Sequence, residues 1–199
     1  MVVSRSTGRP REFDLGLALD RAMDVFWRKG YDGATLLDLT KAMRINRPSV
    51  YAAFGDKQAL YRKAVDRYAA GPAAYVREAL AEPTARAVVE RLFRETIRTL
   101  TDPRNPRGCL LVHGTLTCGD ASETTRRKLI AHRSAGEAAI RARFERAQTE
   151  GDLSPDANPA DLARFVMTVL QGMSVQAVGG AGRKELRRVA ALALRSWPR

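Results

Sequence analysis

The chain has 199 residues, is 45% hydrophobic and carries a formal net charge of +12 with 2 cysteines. That length buries a core without covalent staples, and so few cysteines exclude a disulfide framework. No stretch has the uninterrupted apolar length of a membrane helix, and the N-terminus lacks the apolar segment of a signal peptide, so the chain is expected in the cytoplasm without a membrane partner.

The excess of positive charge suits a polyanionic partner, although an arginine-rich genome or a membrane-surface habit gives the same balance. Residues 1–70 hold 13 Lys and Arg against 8 Asp and Glu, which makes the front third the more basic part per residue. Residues 1–11, with Arg5, Arg9 and Arg11 among Ser, Thr, Gly and Pro, read as a flexible basic arm. Gly8-Arg9-Pro10 is narrow enough for a DNA minor groove; a solvated tail is the alternative.

Helical periodicity governs the rest, so the fold class is all-α. Leu15, Ala18, Leu19, Ala22, Val25 and Phe26 line one face of a first helix that ends near Gly30. Thr35 then caps a second helix, with Asp38 as the reciprocal member of a capping box and Leu36, Leu39, Ala42 and Met43 on one face. Asn46 caps a third, whose first turn tolerates Pro48 and which stops at Gly55. Two short helices around a tight turn form a helix-turn-helix, whose second member lies in the major groove with its N-terminal residues toward the base edges. Residues 12–55 are therefore expected to be a DNA-binding domain.

A longer helix begins at Asp56, with Leu60, Ala64, Val65 and Tyr68 inward, and Gly71-Pro72 kinks or breaks it. Residues 56–80 read as the link between domains, and residues 81–199 as a helical effector-binding and dimerisation domain. Its first helix, about 84–101, carries Val88, Val89, Leu92, Phe93, Thr96, Ile97 and Leu100 on one side. The run from Cys109 to Cys118 is apolar or small all round and is expected to be buried on every side; nine positions of helix put its two cysteines on opposite faces. Residues 122–150 form a long helix with Leu129, Ile140, Phe144 and Ala147 inward.

Two further helices, about 159–178 and 183–197, flank Gly179-Gly180-Ala181-Gly182 and carry more apolar residues than one core face uses. A homodimer burying Phe165, Val169, Met173, Leu186, Val189, Leu192 and Trp197 against a second copy accounts for the excess; a single thick core is the alternative.

The DNA-binding segment resembles the TetR/AcrR family of bacterial transcriptional regulators. The resemblance rests on Phe26, Gly30-Tyr31, Thr35, the run from Ile45 to Phe54, and Asp56-Lys57. Gly108-Cys109-Leu110-Leu111-Val112 and the glycine-interrupted terminal hairpin are similar to one subgroup. The chain departs from the family pattern at Thr40, where alanine is usual, and at Arg44, where the turn usually carries glycine.

The resemblance implies a homodimeric repressor of a pseudo-palindromic double-stranded operator, released by an unidentified small-molecule effector, with no cofactor. Tyr51 and Lys57 match phosphate-binding positions of the family. Arg44, Arg47, Ser49 and Ala52 are expected near base edges, with Arg9 and Thr35 completing the DNA-binding set; Tyr51 as a core aromatic is the competing reading.

Tyr75, Phe93, Cys109, His113, Thr117, Phe144, Phe165 and Gln171 are the candidate effector contacts, combining apolar walls with polar handles. A core role for His113 is an equal alternative. Two histidines 19 positions apart make no convincing metal site. No nucleophile motif or phosphate loop points to an enzyme, which leaves Cys109 or His113 chemistry and sequence-tolerant architectural DNA binding as the rival functions.

Overall fold

The computed structural model describes residues 13–117 and 123–198, with only the backbone of 115–117. Arg9 and Cys118 lie outside the described residues, as does the side chain of Thr117. Among the described residues all regular structure is helical: α1 (Leu15–Gly33), α2 (Leu36–Met43), α3 (Arg47–Phe54), α4 (Lys57–Ala70), α5 (Tyr75–Ala79), α6 (Ala85–Leu100), α7 (Leu110–Thr117), α8 (Glu123–Thr149), α9 (Pro159–Val178) and α10 (Arg183–Arg195).

Side-chain caps set the helix starts. Asp14 accepts from Gly16 and Leu17 amides at α1, Thr84 from the Ala87 amide at α6, and Asn158 from Ala160 and Asp161 amides at α9. α1 runs past its expected end to Gly33. Its interruption at Gly30 (φ 69°, ψ 179°) needs a residue without a Cβ. Its buried face is also rotated from the expected stripe. Met23 and Trp27 join Ala18, Ala22 and Phe26 inside, while Leu15, Leu19 and Val25 stay half-buried.

α4 ends at Ala70, and Gly71 (φ −112°, ψ −94°) caps it. The chain turns through Pro72 into the short α5, so the link between domains is a broken helix rather than a kinked one.

Two cores result. The first gathers Phe26, Trp27, Leu39, Val50, Phe54, Leu60, Tyr61 and Tyr68 from α1–α4, and Leu110 of α7 and Leu129 of α8 join it. Accordingly, α7 is not wrapped by the second domain alone. It packs on α1, with Leu110, Val112 and Gly114 buried and Leu111 and His113 half-buried. The second core comprises α5, α6, α8, α9 and α10, with Leu92, Ile97, Ile140, Val166 and Leu186 at its centre.

Candidate DNA interface and effector cavity

The N-terminal site is built on three local devices. The Thr35 side chain accepts from the Asp38 amide (3.1 Å), while Asp38 accepts from the Thr35 amide (3.0 Å) and hydroxyl (2.8 Å). Lys29 Nζ, 2.7 Å from Asp38 Oδ1, ties α1 to this cap. The Lys29 hydrogen bond and those from Thr35 hold the Asp38 carboxyl down at about 2.

The turn comes next. Arg44 caps α2 in the left-handed region (φ 59°, ψ 38°) and is the one non-glycine residue of positive φ among the described residues. Asn46 then opens α3 by accepting from the Ser49 amide at 2.9 Å.

α3 keeps Val50 and Phe54 inside and presents Arg47 and Ala52 to solvent, with Ser49 half-buried. Tyr51 is 41% exposed, so it is no core aromatic. The Arg47 guanidinium lies 5.6 Å from its ring centre, and Nη2 donates to the phenol oxygen at 3.3 Å. Lys57, first residue of α4, holds its ammonium 4.5 Å from the centre of the Tyr31 ring.

Arg44 is exposed on the side of α2 that faces α1. It lines a groove between α1 and α2 with Arg21, Arg28, Lys29, Asp38 and Lys41, a strongly basic wall beside the reading helix. The sequence grouped it with the base-edge residues because it is only three positions from Arg47; the left-handed turn also brings it to this groove.

The second site is a partly open cavity of about 370 Å³ bounded by the end of α4, the following turn, α5, α6, α7, α8 and α9. Of the eight candidate effector contacts, Tyr75, Cys109 and Gln171 line it. Phe93 and Phe144 do not: both are fully buried in the second core, with Phe144 edge-on to Trp197 at 5.2 Å. Phe165 points outward, 38% exposed. His113 is half-buried and packs against Gly108 and lies outside the cavity lining; burial depresses its pKa, favouring the neutral ring. Thr117 falls where no side chain is described.

The sequence reading missed Tyr68, Thr96, Arg133 and Ser174 in the wall. Tyr75 and Thr96 hydroxyls share a hydrogen bond of 2.9 Å, and burial pushes the phenols of Tyr68 and Tyr75 upward. Arg133 Nη2 donates to Gln171 Oε1 at 2.5 Å. The available signal was periodicity: Met167, Leu170, Gln171 and Ser174 repeat on one face of α9, as do His132, Arg133, Gly136 and Ala139 on α8.

A hydrogen bond links α1 to the cavity's edge: the Trp27 indole N–H donates to the Gly108 carbonyl at 2.9 Å, one residue before Cys109 in the cavity wall. Gly108 has φ +87°, and a methyl there would collide with His113 and Val178.

On the terminal hairpin, Met173, Leu186 and Trp197 belong to the chain's own core, which corrects their expected place in a dimer face. Val169 is half-buried against that core, while Phe165, Val189 and Leu192 remain exposed, joined by Val175 and Val178. No group of three or more metal-ligating side chains and no helix able to cross a membrane occurs among the described residues.

Comparison with known proteins identifies the family. Residues 18–64 match the family described as "Bacterial regulatory proteins, tetR family", and residues 83–192 match "Tetracyclin repressor-like, C-terminal domain". The chain is 31% identical over 198 residues to the HTH-type transcriptional repressor ComR of Escherichia coli (strain K12), covering 98% of this chain and 94% of that protein. It is 29% identical over 203 residues to the HTH-type transcriptional repressor BdcR of the same organism, covering 96% and 92%. Among solved structures it superposes, with a TM-score of 0.92 and 46% identity, on a cysteine mutant of the TetR family transcriptional regulator CifR complexed with 26-bp double-strand operator DNA. That match spans 96% of this chain and 100% of the other.

Proposed function

Because the chain belongs to the TetR family of bacterial regulatory proteins, we propose that it is a homodimeric repressor that binds a pseudo-palindromic operator and releases it when a small molecule enters the cavity. The observation that carries this reading is the solvent-facing side of α3, with Arg47 and Ala52 exposed, Ser49 half-buried and an Arg47–Tyr51 pair facing solvent, behind a capped α2 and a left-handed turn. It is supported by the likeness to a regulator complexed with operator DNA over nearly the whole chain.

Arg47, Ser49 and Ala52 face base edges in this reading, while Tyr51, Lys57 and Arg44 hold phosphates and set the register. A dyad presents two α3 helices to successive major grooves. The second copy covers Phe165, Val175, Val178, Val189 and Leu192, an apolar strip that a monomer leaves wet.

Release runs through the shared walls. Tyr68 and Ala69 of α4 line the cavity, and Trp27 of α1 hangs from Gly108 at its edge, so a ligand that reshapes the wall moves the two helices that frame the DNA-reading pair. The effector has to bind the released arrangement better than the DNA-bound one, or it shifts nothing.

Footprinting on genomic fragments that the protein retains tests the proposal. Two protected half-sites related by a dyad are expected, together with loss of that pattern in Arg47→Ala. Uniform protection without a dyad would favour sequence-tolerant architectural binding instead.

A further inference from the structure

The cavity wall has a charge composition that narrows what it can hold. Among the described residues its lining includes Arg77, His132 and Arg133 and no aspartate or glutamate. The nearby acids are already paired: Asp66 lies 2.9 Å from Lys128 and 3.3 Å from His132, and Glu137 lies 2.7 Å from Arg164. Arg133 has no carboxylate partner among the described residues, and its Nε is buried with no hydrogen-bond acceptor there.

A second group of the same wall is in the same condition. Ser174 is 2% exposed, and its hydroxyl has no partner among the described residues. Arg133 is half-buried, and among the described residues its guanidinium has only the Gln171 amide oxygen as acceptor, so a negative group that excludes water there would complete it. Tyr68, Tyr75, Thr96 and Thr99 add neutral hydroxyls to the wall, and Leu80, Leu100, Leu111, Val112, Met167 and Leu170 give it a broad apolar surface.

Taking the cavity as the effector site proposed above, we infer that the effector is an amphipathic monoanion, a carboxylate on an apolar body of about a dozen non-hydrogen atoms for a space of this size. Its carboxylate accepts from Arg133 and Ser174, and its body lies against Met167, Leu170 and Leu100. Gln171 keeps the guanidinium aimed inward in the empty state.

The test is calorimetric titration of the full-length protein with phenylalkanoates from phenylacetate to 5-phenylpentanoate, beside the matched alcohols and amines. Release of a retained genomic fragment is measured in parallel. At least one acid is expected to bind about 10- to 100-fold more tightly than its alcohol, the range for a charge-assisted hydrogen bond away from water, and to release the DNA. Arg133→Met should abolish the preference by weakening the acid alone, and Arg133→Lys should restore part of it. Ser174→Ala, a smaller change in the same wall, should cost the acid about 3- to 10-fold and leave the alcohol unaffected.

Acids and alcohols that bind alike and both release DNA would overturn the carboxylate assignment while leaving the effector cavity standing. An acid preference that survives in Arg133→Met would do the same. Failure of every member to bind, in a protein that still holds its operator, would overturn the assignment together with the cavity's role.

Discussion

Replacing Arg44 by glycine separates what this residue costs the fold from what it gives the complex with DNA. At φ 59° and ψ 38° its Cβ crowds the backbone, a penalty of about 1–2 kcal/mol for an L-residue. Glycine removes that penalty and adds about 0.5–1 kcal/mol of lost backbone freedom, so Arg44→Gly should stabilise each protomer by about 0.5–1 kcal/mol, or a rise in Tm of about 2 °C. The DNA effect has the opposite sign. Arg44 lies in the basic groove between α1 and α2, where, in the function proposed above, it meets a phosphate rather than a base. A dimer loses two such contacts, so the slope of log K against log salt should fall in magnitude by about 1.8, with the rank order of sequences kept. Denaturation and fluorescence-anisotropy titrations at several salt concentrations measure both. An unchanged salt slope, or a preference altered at one base position, would refute the placement of Arg44.

Three further outcomes follow from the geometry. Asp38 should titrate near pH 2 by carboxyl NMR; since its pKa is lowered on folding, the stabilisation it brings is present above about pH 4 and disappears as pH falls through 2, and Lys29→Met should raise that pKa while the Thr35 hydrogen bonds keep it below the ordinary value. Phe144→Ala should destabilise the protein by about 3–5 kcal/mol in denaturant titrations, because it empties a fully buried site against Trp197, and should leave effector selectivity intact. Trp27→Phe removes the hydrogen bond to the Gly108 carbonyl at a cost of about 1 kcal/mol, and should change the factor by which effector weakens DNA binding; an unchanged factor would remove this contact from the coupling route.

The DNA-reading half was legible because its boundaries are set by neighbours in sequence. Thr35 with Asp38, Asn46 with Ser49, and Asp56 with Ala59 are caps closed over three positions, and Gly55 stops α3 at φ 82°. Even there, the side of the domain on which Arg44 lies depends on the turn's handedness, which spacing does not reveal. The cavity was read poorly for a related reason. α9 has three faces: Ala163, Val166, Met173 and Ala177 meet the core, Met167, Leu170, Gln171 and Ser174 meet the cavity, and Phe165, Gly172 and Val175 meet solvent. Apolar character is shared by all three, so Phe165 looked like the core residues Phe93 and Phe144 from the sequence although it faces solvent. Arg133 was hidden among the arginines of α8, since only tertiary packing distinguishes it and the buried Arg143 from those that face solvent.

Selection of genomic fragments by the purified protein at about physiological salt, followed by sequencing, addresses sequence-specific operator binding most directly. A specific dimeric regulator retains a specificity ratio of about a thousand or more under those conditions. An enriched inverted repeat, lost in Arg47→Ala, is the predicted result. Recovery without sequence preference, with a steep fall as salt rises, would contradict it.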